Sequence, residues 1–307
     1  MRLICLTLLF TLNTELLAWN GMGHLVIARI AEHQLAKEDM NVLNKVYSVL
    51  GSLKKFFSET DNSMLEAAMV SDTLNFEFSG FLAYYHYTDV PSVYKNDNVN
   101  EFKFDKFQYD LKYAYNSTVK IIKNSLDPER QKTAVVKNGL MDSLMLRYLL
   151  HLVGDSHQPL HATSLFSSTL NNGSYKHGDF GGNSIKIYDV FNKNITNLHS
   201  LWDAGVGVLD DIREMPISEQ NRANVELFSL AIEEEYPESF FGELVNTSDI
   251  ETWTAESHDF ANDFVYSDID VFPIVTPHYI TAGQKVCKKR LALAGYRLAN
   301  VLKSLYK

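Results

Sequence analysis

The stretch HLVGDSHQPLH, from His151 to His161, packs three histidines and an aspartate into eleven residues, directly after the apolar run LMLRYLL. A chain carrying it must bury polar, metal-seeking side chains at the end of an apolar helix. Leu140, Leu144, Tyr148, His151 and Asp155 follow one another at steps of four, four, three and four, so they share one helical face. The first three are core-type residues, which carries His151 and Asp155 toward the interior. Pro159 disfavours helical geometry at Gln158, so His161 falls in the loop beyond.

An aspartate buried without a partner is costly. The same arrangement recurs: NLHSLWD sets His199 and Asp203 four apart. Asp72 follows the apolar run AAMV, His86 sits in LAYYHYTD, and His24 lies one turn into the first helix. Imidazole and carboxylate ligands without thiolates suit zinc in a catalytic rather than a structural role. At three or four ligands per ion, eight such side chains imply more than one ion. At this point the alternative stays open: histidine–aspartate pairs in the core that satisfy one another.

The rest of the chain is dominated by helical periodicity. WNGMGHLVIARIAEHQL opens a helix whose first turn is nearly all apolar, as in a buried element. Helices are expected at about 38–50, 63–75 and 103–125, the last stopped near Asp127-Pro128. The longest central one is expected at about 129–157, and a terminal one at 280–307. Between Ala162 and Leu198 the chain turns rich in Asn, Ser and Gly, and SIKIYDVF there suggests a short strand or hairpin around Ile185, Ile187 and Val190. No internal repeat or dividing linker is present. The expectation is one mainly α domain over residues 19–307, with a small β-hairpin region.

Residues 1–18 read as a secretory signal: Arg2, an apolar run from Leu3 to Leu12, and Ala18 before the cut. The alternative is an uncleaved N-terminal anchor. Nothing later in the chain resembles a membrane span, so a secreted or periplasmic mature protein is expected, with no stable protein partner. Of two cysteines, Cys5 leaves with the signal and Cys287 stands alone, which leaves bound metal as a candidate staple. The formal net charge of −10 argues against a protein that holds duplex nucleic acid on a basic surface.

The set Trp19, His24, Asp72, HYTD at 86–89, HLVGDSHQPLH, GGN at 181–183 and NLHSLWD closely resembles the zinc-dependent, single-strand-specific nucleases and 3′-nucleotidases of fungi and plants. That family shares its fold with the bacterial zinc phospholipases C. WTAESHDFANDFVY at 253–266 and the AGQKVCKKRLALAGYRLA of the final helix extend the resemblance over the whole mature chain. It implies three zinc ions. One is held by Asp72, His86, His151 and Asp155. A second is held by the freed α-amino group and carbonyl of Trp19 with His24 and Asp155, which bridges the pair. The third is held by His161, His199 and Asp203. Trp19 could serve only once residues 1–18 are gone.

The resemblance also implies hydrolysis of P–O3′ bonds in single-stranded RNA and DNA to 5′-phosphate products, and of 3′-nucleotides, with Asp72 and Asp155 in catalytic roles. Tyr87 would stack on a base, a contact tolerant of sequence that favours unpaired bases. Asp89 would accept from a base edge, and Asn183 would line the site. His157, off the ligand face, reads as a support behind the ligands or as structural, and His33, His177, His258 and His278 carry no expected role. One position departs from the pattern: Asn75 stands where the family usually has Arg or Lys against the phosphate. The alternatives are a zinc phospholipase C, disfavoured because that branch ends its ligand set with Glu rather than Asp203, and an exported zinc-binding protein of weak catalysis. Sequons at Asn116, Asn172, Asn194 and Asn246 would carry glycans only in a eukaryotic secretory host.

Overall fold

The computed structural model describes residues 19–55, 63–77, 82–95, 97–104, 108–133, 139–267, 269–270 and 275–307. The proposed signal over 1–18 lies outside them. The protein is mainly α, with a single two-stranded sheet among the described residues.

Helix α1 (Gly21–Glu38) is buried on nearly every side, as a helix apolar all round must be. The Asn20 side chain caps it, accepting from the Gly23 N–H at 3.2 Å. It packs against α3 (Met64–Glu77), α8 (Glu219–Glu235) and the long terminal helix α11 (Pro277–Tyr306). Helix α2 (Met40–Gly51) leads into this layer. Helix α4 (Leu111–Leu126) and α6 (Gly139–Asp155) pack together, and α6 also lies on α2 and α3. The short helices α5 (Pro128–Thr133), α7 (Leu198–Asp203) and α9 (Glu238–Phe241), with α10 (Ile250–Phe260), complete the shell.

Four expectations change in detail. The helix expected from residue 103 begins at Leu111, because Asp110 is extended and its carboxylate accepts from the Tyr113 N–H at 3.0 Å. Phe102 and Phe104 instead pack on Phe166. The helix expected over 129–157 is two helices, α5 and α6, and residues 134–138 between them lie outside the described set. Helix α6 is then no longer than α8, and the longest helix among the described residues is the terminal α11. Leu140, Leu144 and Tyr148 are half-buried, and Leu146, Leu149, Leu150 and Val153 form the core face of α6.

The sheet is not the expected local hairpin. Strand β1 (Val90–Val93) pairs in parallel with β2 (Thr163–Phe166), Val90 opposite Thr163. The SIKIYDVF region keeps only an isolated antiparallel bridge between Lys186 and Asn197. Each strand follows directly on a candidate ligand segment, β1 on HYTD and β2 on the loop of His161. The sheet thus ties two pieces of the site together.

Candidate metal centre

Helix α6 ends at Asp155, and Gln158 is extended (φ −85, ψ 120) ahead of Pro159, as that proline requires. His151 and Asp155 point inward from the last turn, and His161 sits on the short 3₁₀ turn that follows. Around Asp155 the structure gathers His24 from α1, Asp72 from α3, and His86 from the 3₁₀ turn Ala83–His86. The second turn of the loop meets His199 and Asp203 of α7. Seven of these eight side chains are buried, and Asp72 is half-buried.

The two carboxylate oxygens of Asp155 face different imidazoles. Oδ1 lies 3.4 Å from Nε2 of His24. Oδ2 lies 3.0 Å from Nδ1 of His86 and 3.3 Å from Nε2 of His151. Oδ1 of Asp72 lies 3.3 Å from His151 Nε2 and 3.9 Å from His86 Nδ1. In the separate group, Asp203 lies 3.8 Å from His161 Nε2 and 3.5 Å from His199 Nε2. A tetrahedral zinc with bonds of ~2.05 Å sets neighbouring ligand atoms about 3.3 Å apart. The observed spacings bracket that value.

The backbone orients three of the rings. Nδ1 of His151 lies 2.8 Å from the Ala68 carbonyl, that of His161 lies 2.7 Å from the His86 carbonyl, and that of His199 lies 2.6 Å from the Gly181 carbonyl. Only Nδ1–H can serve a carbonyl, so the lone pair of each ring is left on Nε2, aimed into the cluster. Gly181 (φ +60) brings its carbonyl to His199 on a turn whose added Cβ would lie 2.6 Å from the Leu160 oxygen. Both nitrogens of His24, Oδ1 of Asp72 and of Asp155, and Nε2 of His161 are buried with no hydrogen-bond partner. Orphaned atoms of this kind are expensive, and dications held in the two clusters would satisfy the two carboxylate oxygens, His161 Nε2 and one nitrogen of His24. A set of imidazoles and carboxylates fits zinc.

Beside His86, Tyr87 and Asp89 line a cavity of about 200 Å³ whose walls include Tyr84, Phe166, His177 and Phe180. The profile of the S1/P1 nuclease family matches residues 19–307. The chain belongs to the S1/P1 nuclease family. It is thus a nuclease, a hydrolase of ester bonds. "Endonuclease 3" of Arabidopsis thaliana is 24% identical over 313 residues, covering 100% of this chain and 95% of that protein. "Endonuclease 4" of the same plant is 21% identical, over 94% of this chain and 90% of its own length. "Nuclease S1" of Aspergillus oryzae is 24% identical over 61% of this chain and 54% of its own.

Within this S1/P1 family member, every expected ligand side chain falls in one of the two clusters. The side chains interleave more than the expected division suggests, because His24, Asp72 and His151 also converge as a group. Trp19 is fully buried, and its indole donates to the Gly154 carbonyl at 3.0 Å. The next residue, Asn20, donates its N–H to the Asp203 carbonyl at 3.0 Å. Trp19 and Asn20 are therefore anchored between the two clusters. Asn183 donates to the Phe180 carbonyl at 2.8 Å, beside the cavity. Asn75 falls on α3, and its side chain lies outside the described residues.

The side chains shift one another's protonation. Burial, then His151, holds His24 down to about 3. Burial works against Asp155 ionising, but His151 and His86 outweigh it and hold its pKa well below the usual range. Burial opposes charge on His151 too, and Asp155 and Asp72 overcome it and raise that pKa. Asp203 is pushed up to about 8 by burial, with His199 pulling the other way. Metal binding would displace protons from such a set.

Sequence reasoning missed the residues that tie the site together. Nε2 of Gln158 donates to Asp203 at 2.6 Å, linking the two halves of HLVGDSHQPLH to α7. Asp179, in the HGDFGG loop that looks like a metal loop, instead accepts from the Leu165 N–H at 2.7 Å and the Tyr266 hydroxyl at 2.8 Å. It pins the loop under the cavity. His157 is not among the gathered ligands; its Nδ1 lies 2.7 Å from the Val153 carbonyl. His33 bridges Glu233 and Glu226 of α8, at 2.7 and 3.3 Å.

Proposed function

We propose that this nuclease is a trinuclear zinc enzyme, cutting P–O3′ bonds of single-stranded RNA and DNA to leave 5′-phosphates and removing phosphate from 3′-nucleotides. The observation that carries the reading is Asp155, whose two oxygens address separate imidazoles, as a carboxylate shared by two ions must. The ligands are Asp72, His86, His151 and Asp155 for one ion; the Trp19 amine and carbonyl, His24 and Asp155 for its neighbour; and His161, His199 and Asp203 for the third. Zinc supplies water acidification near neutral pH and screening of phosphate charge.

The chain's own residues do the positioning. The Ala68, His86 and Gly181 carbonyls fix three imidazoles in the ligating tautomer. Tyr87 offers a ring to a base, a contact available only where that base is unstacked and unpaired. Asp89 stands two residues on to accept from the base edge, and Asn183 borders the same site. Removal of residues 1–18 frees the Trp19 amine, so export and completion of the site are one event. The family match starting at Trp19 supports this boundary. The mature protein is accordingly secreted or periplasmic, and among the described residues no helix is long and apolar enough to cross a membrane.

The test uses protein beginning at Trp19 with single-stranded RNA, single-stranded DNA, 3′-AMP and phosphatidylcholine, each with EDTA and with zinc restored. Zinc-dependent cleavage of the nucleic acids to 5′-phosphate ends is expected. Hydrolysis of the lipid alone, or zinc binding with no hydrolysis, would overturn the reading.

A further inference from the structure

Two stretches supply no side chain to either cluster: WTAESHDFANDFVY and the terminal helix. The structure brings both onto the turn between Asp155 and His161. Glu256 of α10 takes Arg297 of α11 in a fork, Nη1 to Oε2 and Nη2 to Oε1, both at 2.7 Å. Arg290 reaches the same carboxylate at 2.9 Å. Both arginines then turn to His157: Arg290 Nε donates to its carbonyl at 3.0 Å, and Arg297 Nη1 donates to its ring Nε2 at 3.0 Å. A guanidinium only donates, so His157 accepts on Nε2 and gives its Nδ1–H to Val153, the carbonyl four residues back. Ser257 donates to the Ser156 carbonyl at 2.7 Å and accepts from Arg290 at 2.7 Å.

Arg290, Arg297, His157 and Ser257 are all buried. Two buried guanidiniums sharing one carboxylate make a poor stabilising device, because apolar side chains of similar volume fill such space at no net loss. What the charges provide is direction, with fixed forks gripping one turn from behind. That turn continues into Gln158, whose amide holds Asp203.

We propose that Glu256, Arg290 and Arg297 act as positioning residues for the metal centre. Through His157 they set the Ser156–Gln158 turn, and so the spacing between the Asp155 cluster and the His161, His199 and Asp203 cluster. The proposal rests on the zinc reading above.

The test compares zinc-loaded wild type with Arg297→Met, Arg297→Lys and Ser257→Ala. Zinc per chain is measured across a chelator series, and melting temperature is measured loaded and stripped. Loss of an outer partner of a metal site typically weakens metal binding by ~10–100-fold. Arg297→Met is expected to release its first zinc at about tenfold less chelator, with Arg297→Lys in between and kcat falling at unchanged KM. Loaded forms should then differ more in melting temperature than stripped forms. Equal melting losses in both states, with zinc retained as in wild type, would mean plain structural packing and overturn the proposal. Should Arg297→Met fail to fold, Ser257→Ala, which spares both guanidinium–carboxylate contacts, must still shift zinc release; unchanged release overturns it. Wild type that binds no zinc would refute the metal reading itself, before any variant is compared.

Discussion

Gly154 backs directly onto a candidate ligand, the His24 imidazole. A Cβ there would lie 2.7 Å from Nδ1 and 2.9 Å from Cε1 of His24. Ordinary contact between such atoms is about 3.5 Å, so Gly154→Ala must push the imidazole away by roughly 0.8 Å. The ring has little room: it stacks on His151 with centroids 3.8 Å apart, inside a fully buried pocket. For stability two effects oppose. Alanine in place of glycine in a helix gains about 1 kcal/mol, and overpacking costs about 1–3 kcal/mol. The net loss is on the order of 1 kcal/mol, a few degrees of melting temperature at this chain length. For function the effects do not oppose. Misplacing a reacting or binding group by ~1 Å can cost on the order of a hundredfold, so zinc affinity and nuclease rate should fall by roughly ten- to a hundredfold while the fold survives. The assay is zinc per chain after exhaustive dialysis, with initial rate on single-stranded DNA and a thermal melt of the same sample. A folded Gly154→Ala protein with wild-type zinc content and rate would refute the placement of His24 in the metal centre.

Four further outcomes are expected. Removing three zinc ions, each worth about 4 kcal/mol when held at a thousand times its dissociation constant, should lower the melting temperature by well over ~10 °C; a thermal melt after demonstrated metal removal checks it. The His33 pKa is raised, chiefly by its bond to Glu233. That link is therefore fully present below the unfolded value near 6.5 and lost as pH rises through the folded one, so His33→Gln should lower the melting temperature in mild acid and little in base. Burial, then Asp179, lifts Asp89 to about 7. Its ionised form is the costly one, so wild type loses stability as pH rises from the unfolded value of 3.8 to about 7; Asp89→Asn should gain on it over that range and by the full amount above it, and its KM for single-stranded DNA should lose any dependence on pH around 7. A protein that keeps residues before Trp19 should bind less zinc and lose most activity, measured by metal analysis and rate on one sample.

What could be read from the sequence was what local spacing encodes. The His151–Asp155 and His199–Asp203 pairs announced themselves because both lie on short helical faces, and Pro159 marked the end of α6. The start of α4 was set too early because Asp110, the N-cap, is the residue that decides it. The sheet was invisible for another reason. β1 and β2 are remote in sequence and pair in parallel, so no local turn signals them. Gln158, Asp179 and the Glu256, Arg290 and Arg297 group were missed alike, because each acts through a partner far along the chain. Residues that hold metal are typed by chemistry, but residues that aim them are typed only by contact.

The proposed function stands or falls with zinc held by this side-chain set. The direct measurement is zinc per chain in protein beginning at Trp19, followed by stripping and stepwise return of zinc while cleavage of single-stranded DNA is recorded. Three ions per chain are predicted, with activity absent in the stripped protein and restored as the sites fill. Full cleavage by metal-free protein, or a chain that saturates with a single ion, would contradict it.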